Sequence, residues 1–167
     1  MHDPAWYTIK EADQIDSPAL CIYEDRVREN IRRLLETVPA DRVRPHVQTN
    51  KTAEVCQLMM DAGIDKFKCA TIAEAEMLGM IRAKDVLLAF PVVGPRISRF
   101  LHLIKKYPDT HYSCLIDAVE GAQAISGVFE KEHRIADAFI DLNVGMNRTG
   151  ISTPQASRIV GIISCKH

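Results

Sequence analysis

A run of eight residues, Arg-Pro-His-Val-Gln-Thr-Asn-Lys at positions 44–51, concentrates the polar side chains that could do chemistry. It lies where an extended apolar pattern gives way to a helical one, and α/β barrels place their catalytic groups at such strand ends. Gln48 carries a hydrogen-bond donor and an acceptor, so it can bind a ligand. Its amide nitrogen is delocalised into the carbonyl, so it is neither a nucleophile nor a base near neutral pH.

His46 precedes Gln48 by two residues and, by strand alternation, shares a face with it. It can therefore line the same site, although a hydrogen-bonded structural histidine explains the residue equally well. Lys51 lies three residues after Gln48 and Lys68 lies in the next predicted strand, and solvated surface ammonium groups account for both.

Strand and helix patterns alternate about six times along the chain. Apolar runs predict strands at 20–23, 43–49, 67–70, 86–90, 112–116 and 138–144. Amphipathic patterns predict one helix that ends at Pro39 and three that cover 52–62, 71–82 and 118–132. Two more helices should start at Gly94-Pro95 and at Thr153-Pro154, the second with Thr153 as its N-cap. Such alternation implies a parallel sheet, either an open doubly wound sheet or part of a (β/α)8 barrel. The sequence contains neither GxGxxG after its first strand nor GxxxxGK[ST], so neither nucleotide-binding fingerprint is present.

The composition excludes several classes of function. The chain has 167 residues, is 47% hydrophobic and carries a net charge of −1, so we expect no nucleic-acid and no membrane partner. The N-terminus lacks a basic and apolar leader pattern, and no apolar stretch is long enough to cross a bilayer. Five scattered cysteines without CxxC spacing favour reduced thiols and a cytoplasmic location.

Five motifs, one of them containing the run at 44–51, occur in order and carry a family resemblance. They are Ser17-Pro18-Ala19-Leu20, Arg44-Pro45-His46-Val47-x-Thr49-x-Lys51-Thr52, the segment Cys69–Glu76 (CATIAEAE), Asp85–Ala89 (DVLLA) and Asp141–Gly150 (DLNVGMNRTG). Together they resemble the D-threonine aldolase and D-serine dehydratase family, whose members share an alanine racemase-like N-terminal barrel that binds pyridoxal 5′-phosphate. The resemblance implies an N-terminal extension at 1–16 and a barrel domain at 17–167.

The resemblance also assigns roles to individual residues. In the family motif Arg-Pro-His-x-Lys-Thr-His-Lys, the first lysine forms the Schiff base with the cofactor, and it falls on Gln48. Asn50 takes the place of the motif's second histidine, and Thr49 matches its threonine. Arg148 falls on the arginine that approaches the cofactor's phenolic oxygen, although a turn-capping arginine explains it as well. Thr71 ends its strand and either faces the same pocket or caps the next helix.

The function that the resemblance implies is a pyridoxal-phosphate-dependent lyase that cleaves D-3-hydroxy amino acids. A racemase-like or D-serine dehydratase-like enzyme is the alternative within the family. Because Gln48 stands at the lysine position, we expect an impaired site, and a non-catalytic remnant or a ligand- or partner-binding domain is the second hypothesis. An unrelated α/β domain with a phosphate site at helix N-termini is the third.

The length predicts a partial structure. About five of the eight strands of an alanine racemase-type barrel are present, so we expect a truncated barrel with a parallel sheet. The family's phosphate-binding loop and metal ligands would then lie outside this chain, which leaves it without a metal site. Unpaired sheet edges predict self-association into a homo-oligomer.

Overall fold

The computed structural model describes residues 6–164, with side chains described as far as residue 160. The chain divides into two compact units, Met1–Pro39 and Ala40–His167. Helix α1 (Glu24–Thr37) dominates the first unit, which also has a short 3-10 helix at Ala12–Gln14. Charged pairs one turn apart, such as Arg28 with Glu24 at 2.7 Å, line the exposed side of α1.

The predicted strand at 20–23 is wrong. These residues run as an irregular segment into α1, and Leu20 is 78% exposed. A short apolar run becomes a strand by pairing with a neighbour, and the ladders of residues 6–164 give this run none.

The second unit is an α/β layer built on a four-stranded parallel sheet, as the alternating pattern predicts. The strands lie in the order β1-β2-β3-β4. After a 3-10 turn at Ala40–Arg42, the elements are α2 (Ala53–Asp61), β1 (Lys66–Cys69), α3 (Ile72–Met80), β2 (Asp85–Pro91), α4 (Pro95–Lys106), β3 (His111–Ile116), α5 (Val119–Glu130), β4 (Asp137–Ile140) and α6 (Thr153–Ser164).

Alternation along the strands separates a helix-covered face from an open face. Phe67 and Cys69 of β1 and Val86 of β2 are fully buried, and α3 and α5 contact the strands. The aromatic rings of Phe100 and Tyr112 meet edge to face at 6.5 Å in this core. We call the opposite side the open face; it carries the alternate strand residues Lys66, Lys68, Asp85, Leu87 and His111, together with Ser113, which is itself buried.

Two predicted strands are shorter than the sequence pattern indicates. The run at 43–49 forms one bridge, between His46 and Lys68, because the chain turns at Val47. The run at 138–144 ends as β4 at Ile140 and continues as a loop.

Helix α6 starts one residue earlier than the sequence pattern predicts. Helix α6 begins at Thr153 itself, and Ser152 caps it, with its backbone N–H and its hydroxyl both donating to Gln155 Oε1.

Between residues 6 and 164, no helix combines the length and apolar character that a bilayer crossing requires.

Candidate active site

The turn at 47–51 follows the end of the first extended segment, at the carboxyl edge of the sheet. Val47 is 1% exposed and anchors the turn, and the Lys51 N–H closes it with a 2.8 Å hydrogen bond to the Val47 carbonyl. Lys51 has φ +51°, a left-handed conformation that a lysine adopts at a cost. Gln48 therefore lies in the turn and is exposed, rather than continuing the strand.

His46 is held in contact with this turn. The backbone N–H of Gln48 donates to His46 Nδ1 at 3.1 Å, which places the imidazole proton on Nε2. Burial lowers the pKa of His46 below its usual 6.5, the charge of Lys68 adds to this effect, and the Glu74 carboxylate opposes it. The ring is thus neutral at pH 7. Thr49 Oγ1 donates weakly to the His46 carbonyl at 3.5 Å.

Glu74 ties the turn to helix α3. Its side chain is 7% exposed and accepts from Lys51 Nζ at 2.5 Å and from the Ala70 N–H at 2.8 Å. Burial raises the pKa of Glu74, but the hydrogen bonds from Lys51 and Ala70 outweigh it and lower the pKa overall. The carboxylate is therefore ionised at neutral pH and holds the Lys51 ammonium against α3.

Thr71 has the geometry of an N-cap. Its Oγ1 accepts from the Glu74 N–H at 3.1 Å at the start of α3, while Glu74 reaches back to the backbone of Ala70. This reciprocal arrangement is a capping box, shifted by one residue on its return bond. Because Glu74 already occupies the helix N-terminus, that terminus does not offer a free anion site.

Among the described residues, the side chains of Asn50 and Arg148 make no hydrogen bond to this network. Asn50 Nδ2 is 4.0 Å from Cys56 Sγ, and its buried Oδ1 has no hydrogen-bond donor among residues 6–164. Arg148 lies in an exposed loop, and in the described part of the chain it makes no hydrogen bond or ion pair with the turn at 47–51. The structure therefore links His46 to Gln48 and Thr49 by hydrogen bonds, and among the described residues it gives Arg148 no such bond to them.

Asn143 and Gly150 determine the conformation of the loop that carries Arg148. Asn143 Oδ1 accepts from the backbone N–H groups of Gly145 and Asn147 at 3.0 and 3.2 Å. Gly150 has φ +89°, and a Cβ there would lie 2.7 Å from the Asn143 nitrogen and 2.7 Å from the Leu142 carbonyl carbon. A side chain at position 150 is thus excluded by both conformation and space.

A charged clamp occupies the other end of the open face. Arg44 donates two hydrogen bonds to Asp85, at 2.7 and 2.8 Å. These bonds lower the pKa of Asp85 below its usual 3.8, against the effect of burial. His111 Nε2 lies 3.0 Å from Asp137 Oδ2 and extends the row to β4. Because the amino ends of barrel strands serve stability, Arg44 has a structural role.

A cavity of about 430 Å³ lies at the carboxyl ends of β1 and β2, where Thr71, Phe90 and Arg96 contribute to its lining. The Arg96 guanidinium lies 5.5 Å from the centre of the Phe90 ring. Thr71 belongs to this lining, whereas residues 46–51 do not. Among the described residues, no group of three or more His, Cys, Asp or Glu side chains is placed to hold a metal ion.

Sequence reasoning missed Glu74, Asp85 and the partners of His111. The signal for Glu74 was present, since a threonine followed three residues later by glutamate predicts a capping box. The pairing of Lys51 with Glu74, and of Arg44 with Asp85, depends on how segments 23 and 41 residues apart meet, which no local spacing encodes.

Comparison with known proteins gives consistent relatives. The family model described as alanine racemase, N-terminal domain, matches residues 22–167. The chain is 27% identical over 150 residues to D-threo-3-hydroxyaspartate dehydratase of Delftia sp. (strain HT23), covering 89% of this chain and 39% of that protein. It is 26% identical over 150 residues to 3-hydroxy-D-aspartate aldolase of Paracoccus denitrificans (strain Pd 1222), covering 87% and 38%.

The fold comparison agrees. The crystal structure of D-threonine aldolase from Filomicrobium marinum superposes with a TM-score of 0.77 over 90% of this chain and 41% of that chain, at 22% identity. This likeness shows the α/β fold. The family match over residues 22–167 and the curated relatives confirm the alanine racemase N-terminal type and the resemblance drawn from the motifs. The chain spans about two-fifths of the length of the curated relatives it matches.

Proposed function

The chain belongs to the alanine racemase N-terminal domain family, and on that premise we propose that it forms the N-terminal barrel portion of a pyridoxal-phosphate-dependent lyase site for D-3-hydroxy amino acids, with covalent attachment at position 48 lost. The observation that carries the proposal is Gln48, which lies exposed in the turn at the end of the first extended segment. The names of the relatives, a dehydratase and an aldolase of 3-hydroxyaspartate, support this substrate class.

The donor set of the turn does not fit a covalently held aldehyde cofactor. Capture of an aldehyde needs a free primary amine, and Gln48 supplies an amide. Lys51 has an amine, but its ammonium is bound to the Glu74 carboxylate at 2.5 Å and its stem leaves a left-handed residue toward α3. We therefore derive no catalytic step through pyridoxal phosphate at residues 46–51.

The turn is suited to non-covalent binding. The Gln48 side chain offers one carbonyl and one amide group to a ligand at the sheet edge. His46 is held neutral and keeps its Nε2–H, since its Nδ1 is engaged by the backbone of Gln48. These two side chains favour the second candidate function, a ligand-binding domain without lyase turnover.

The test compares the wild-type chain with Gln48→Lys in the presence of pyridoxal 5′-phosphate. We expect the wild type to release no carbonyl product from D-threonine or D-3-hydroxyaspartate above the rate without protein. Gln48→Lys should gain visible cofactor absorption and a reducible adduct on residue 48. Gln57→Lys, an exposed glutamine on α2, is the matched control and should gain neither at position 57.

If the wild type releases carbonyl product with the cofactor and releases none without it, the prediction of an impaired site is refuted. A Gln48→Lys variant that folds but gains neither colour nor adduct would refute the assignment of position 48. Either result leaves the family membership unchanged, because that rests on the match over residues 22–167.

We also propose that the chain self-associates through the β4 edge of its sheet. Strand β4 lies at the end of the strand order, and Phe139 on it is 51% exposed. An exposed parallel edge with an apolar side chain favours pairing with another copy. Light scattering at micromolar concentration should give a mass above that of one chain, whereas a single monomer peak would contradict the proposal.

A further inference from the structure

The cavity at the carboxyl ends of β1 and β2 is separate from the turn at 47–51. Leu88 lines it, and because Leu87 beside it lies on the open face, Leu88 belongs to the helix-covered face. Ile72 of α3 and Arg96 of α4 also contribute to the lining, whereas residues 46–51 do not. A ligand in this cavity would therefore occupy a site additional to the candidate active site.

The cavity has the size and the apolar lining of a small-molecule site. Its volume of about 430 Å³ lies within the range of pockets that hold small ligands. The lining residues Leu88 and Val92 are almost fully buried, whereas Phe90 leaves about half of its surface exposed. An accessible aromatic ring beside buried aliphatic side chains favours an apolar or aromatic group of a ligand.

Arg96 and Arg99 give this cavity a positive charge. Neither guanidinium forms an ion pair within the described part of the chain, and no acidic residue belongs to the lining. Glu76 lines the adjoining cavity between α3 and α4, but it is paired with Lys106 at 2.6 Å and is not free to bind the arginines. Arg96 lies in the first turn of α4, where the helix dipole disfavours a cation. The charge is therefore available to an anion from solution.

The polar and apolar groups of the cavity lie next to each other. Arg96 and Arg99 are three residues apart, so they lie on the same side of α4. The Arg96 guanidinium is 5.5 Å from the centre of the Phe90 ring. Thr71 Oγ1 accepts from the Glu74 N–H at 3.1 Å, which leaves its hydroxyl proton for a further acceptor. A ligand that is apolar at one end and anionic at the other matches this arrangement.

We propose that this cavity binds a small organic anion, with its apolar or aromatic body against Phe90 and its carboxylate or phosphate beside Arg96 and Arg99. Guanidinium groups bind both kinds of anion through paired N–H donors. Binding involves no covalent step and makes no use of Gln48. The site is therefore independent of the lyase proposal, and either can fail without the other.

The test is a titration of the nitrogen-15-labelled chain with benzoate and with phenyl phosphate, followed by amide chemical shifts. Benzamide is the matched control ligand, because it has the shape of benzoate without the charge. We expect saturable shifts at Phe90, Arg96 and Arg99 with at least one of the anions, and no saturable shifts at residues 46–51. Benzamide should bind about tenfold more weakly than benzoate, since it lacks the charge-assisted hydrogen bonds.

Variants assign the binding to the cavity. Arg96→Gln combined with Arg99→Gln should weaken the binding of the anion by at least about tenfold. Phe90→Leu should weaken it by about three- to tenfold, because the aromatic contact is lost. Arg158→Gln removes an exposed arginine of α6 that does not line the cavity, and it should leave the binding unchanged. Urea unfolding of each variant checks that the fold is retained.

The two anions distinguish the source of the charge. Binding of benzoate alone identifies a carboxylate ligand, binding of phenyl phosphate alone identifies a phosphate ligand, and both results support the site. The proposal is overturned if neither anion gives saturable shifts at the cavity, or if benzamide binds as tightly as benzoate. Unchanged binding in the folded double arginine variant, or main shifts at residues 46–51, would overturn it as well.

Discussion

The buried carboxylate of Glu74 is the most informative side chain to remove. It receives Lys51 Nζ at 2.5 Å and the Ala70 N–H at 2.8 Å, so it joins the turn at 47–51 to the first turn of α3. Glu74→Ala removes both bonds, while Glu74→Gln keeps one carbonyl oxygen for Ala70 and loses the charge. The pair therefore separates the hydrogen bond from the ion pair.

The expected magnitudes follow from the exposure of each partner. Glu74→Ala leaves a partly buried N–H unpaired, which costs about 1–3 kcal/mol. The ion pair adds about 0.5 kcal/mol, because Lys51 is 60% exposed and water screens the attraction. We expect a total loss of about 1.5–3.5 kcal/mol for Glu74→Ala and about 0.5 kcal/mol for Glu74→Gln.

Urea unfolding followed by circular dichroism measures both losses. The pH dependence gives an independent check on the charge. Since the pKa of Glu74 is lowered below its usual 4.5, its ionised form stabilises the native state above that pH, and this stability is lost as the pH falls through the lower native pKa. Glu74→Gln should flatten this acid limb of the stability curve.

Lys51 provides the matched control on the other side of the pair. Lys51→Ala and Lys51→Gly both remove the ammonium, but glycine also relieves the left-handed conformation at φ +51°. The glycine variant should be more stable than the alanine variant by about 1 kcal/mol. Equal losses for Glu74→Ala and Glu74→Gln, or an alanine loss below about 0.5 kcal/mol, would refute the reasoning.

Four further outcomes are expected. Gly79→Ala should cost about 1–3 kcal/mol, because its Cβ would lie 2.2 Å from a tyrosine hydroxyl. The Cβ of Gly127→Ala meets nothing within 4 Å, so this variant should be more stable by about 0.5–1 kcal/mol in the same urea unfolding experiment. Arg44→Lys should cost about 1–2 kcal/mol in urea, since lysine cannot make both bonds to Asp85; an unchanged midpoint would contradict the clamp. The pKa of His46 is lowered, so stability should be full above about pH 6.5 and fall below it, and His46→Gln should remove that fall; identical pH profiles would show that the ring does not titrate with folding.

Local patterns predicted the interior of the sheet well. The continuous apolar run at 86–90 became β2, covered on one face by helices, and Gly94-Pro95 marked the start of α4 as expected. These elements are determined by side chains within a few residues of each other, through apolar periodicity and through proline at the first helical position.

The ends of the extended runs were not predictable in the same way. The run at 43–49 has a strand-like composition, yet Lys51 adopts a left-handed conformation and closes a turn on Val47. The turn is favoured by a partner 23 residues away, the buried Glu74. Contacts at that separation decide which part of an apolar run pairs, and for the same reason the sequence could not assign a face to Lys68.

The crowded glycine at the end of the Arg148 loop sets the mutational tolerance of this part of the chain. Val144 and Met146 are 90% and 78% exposed, so a saturation library should recover almost any side chain at those two positions. At position 150 the backbone of Asn143 fills the volume that a methyl group would need. Selection for folded chains should therefore retain only glycine at position 150, close to two positions that accept most side chains.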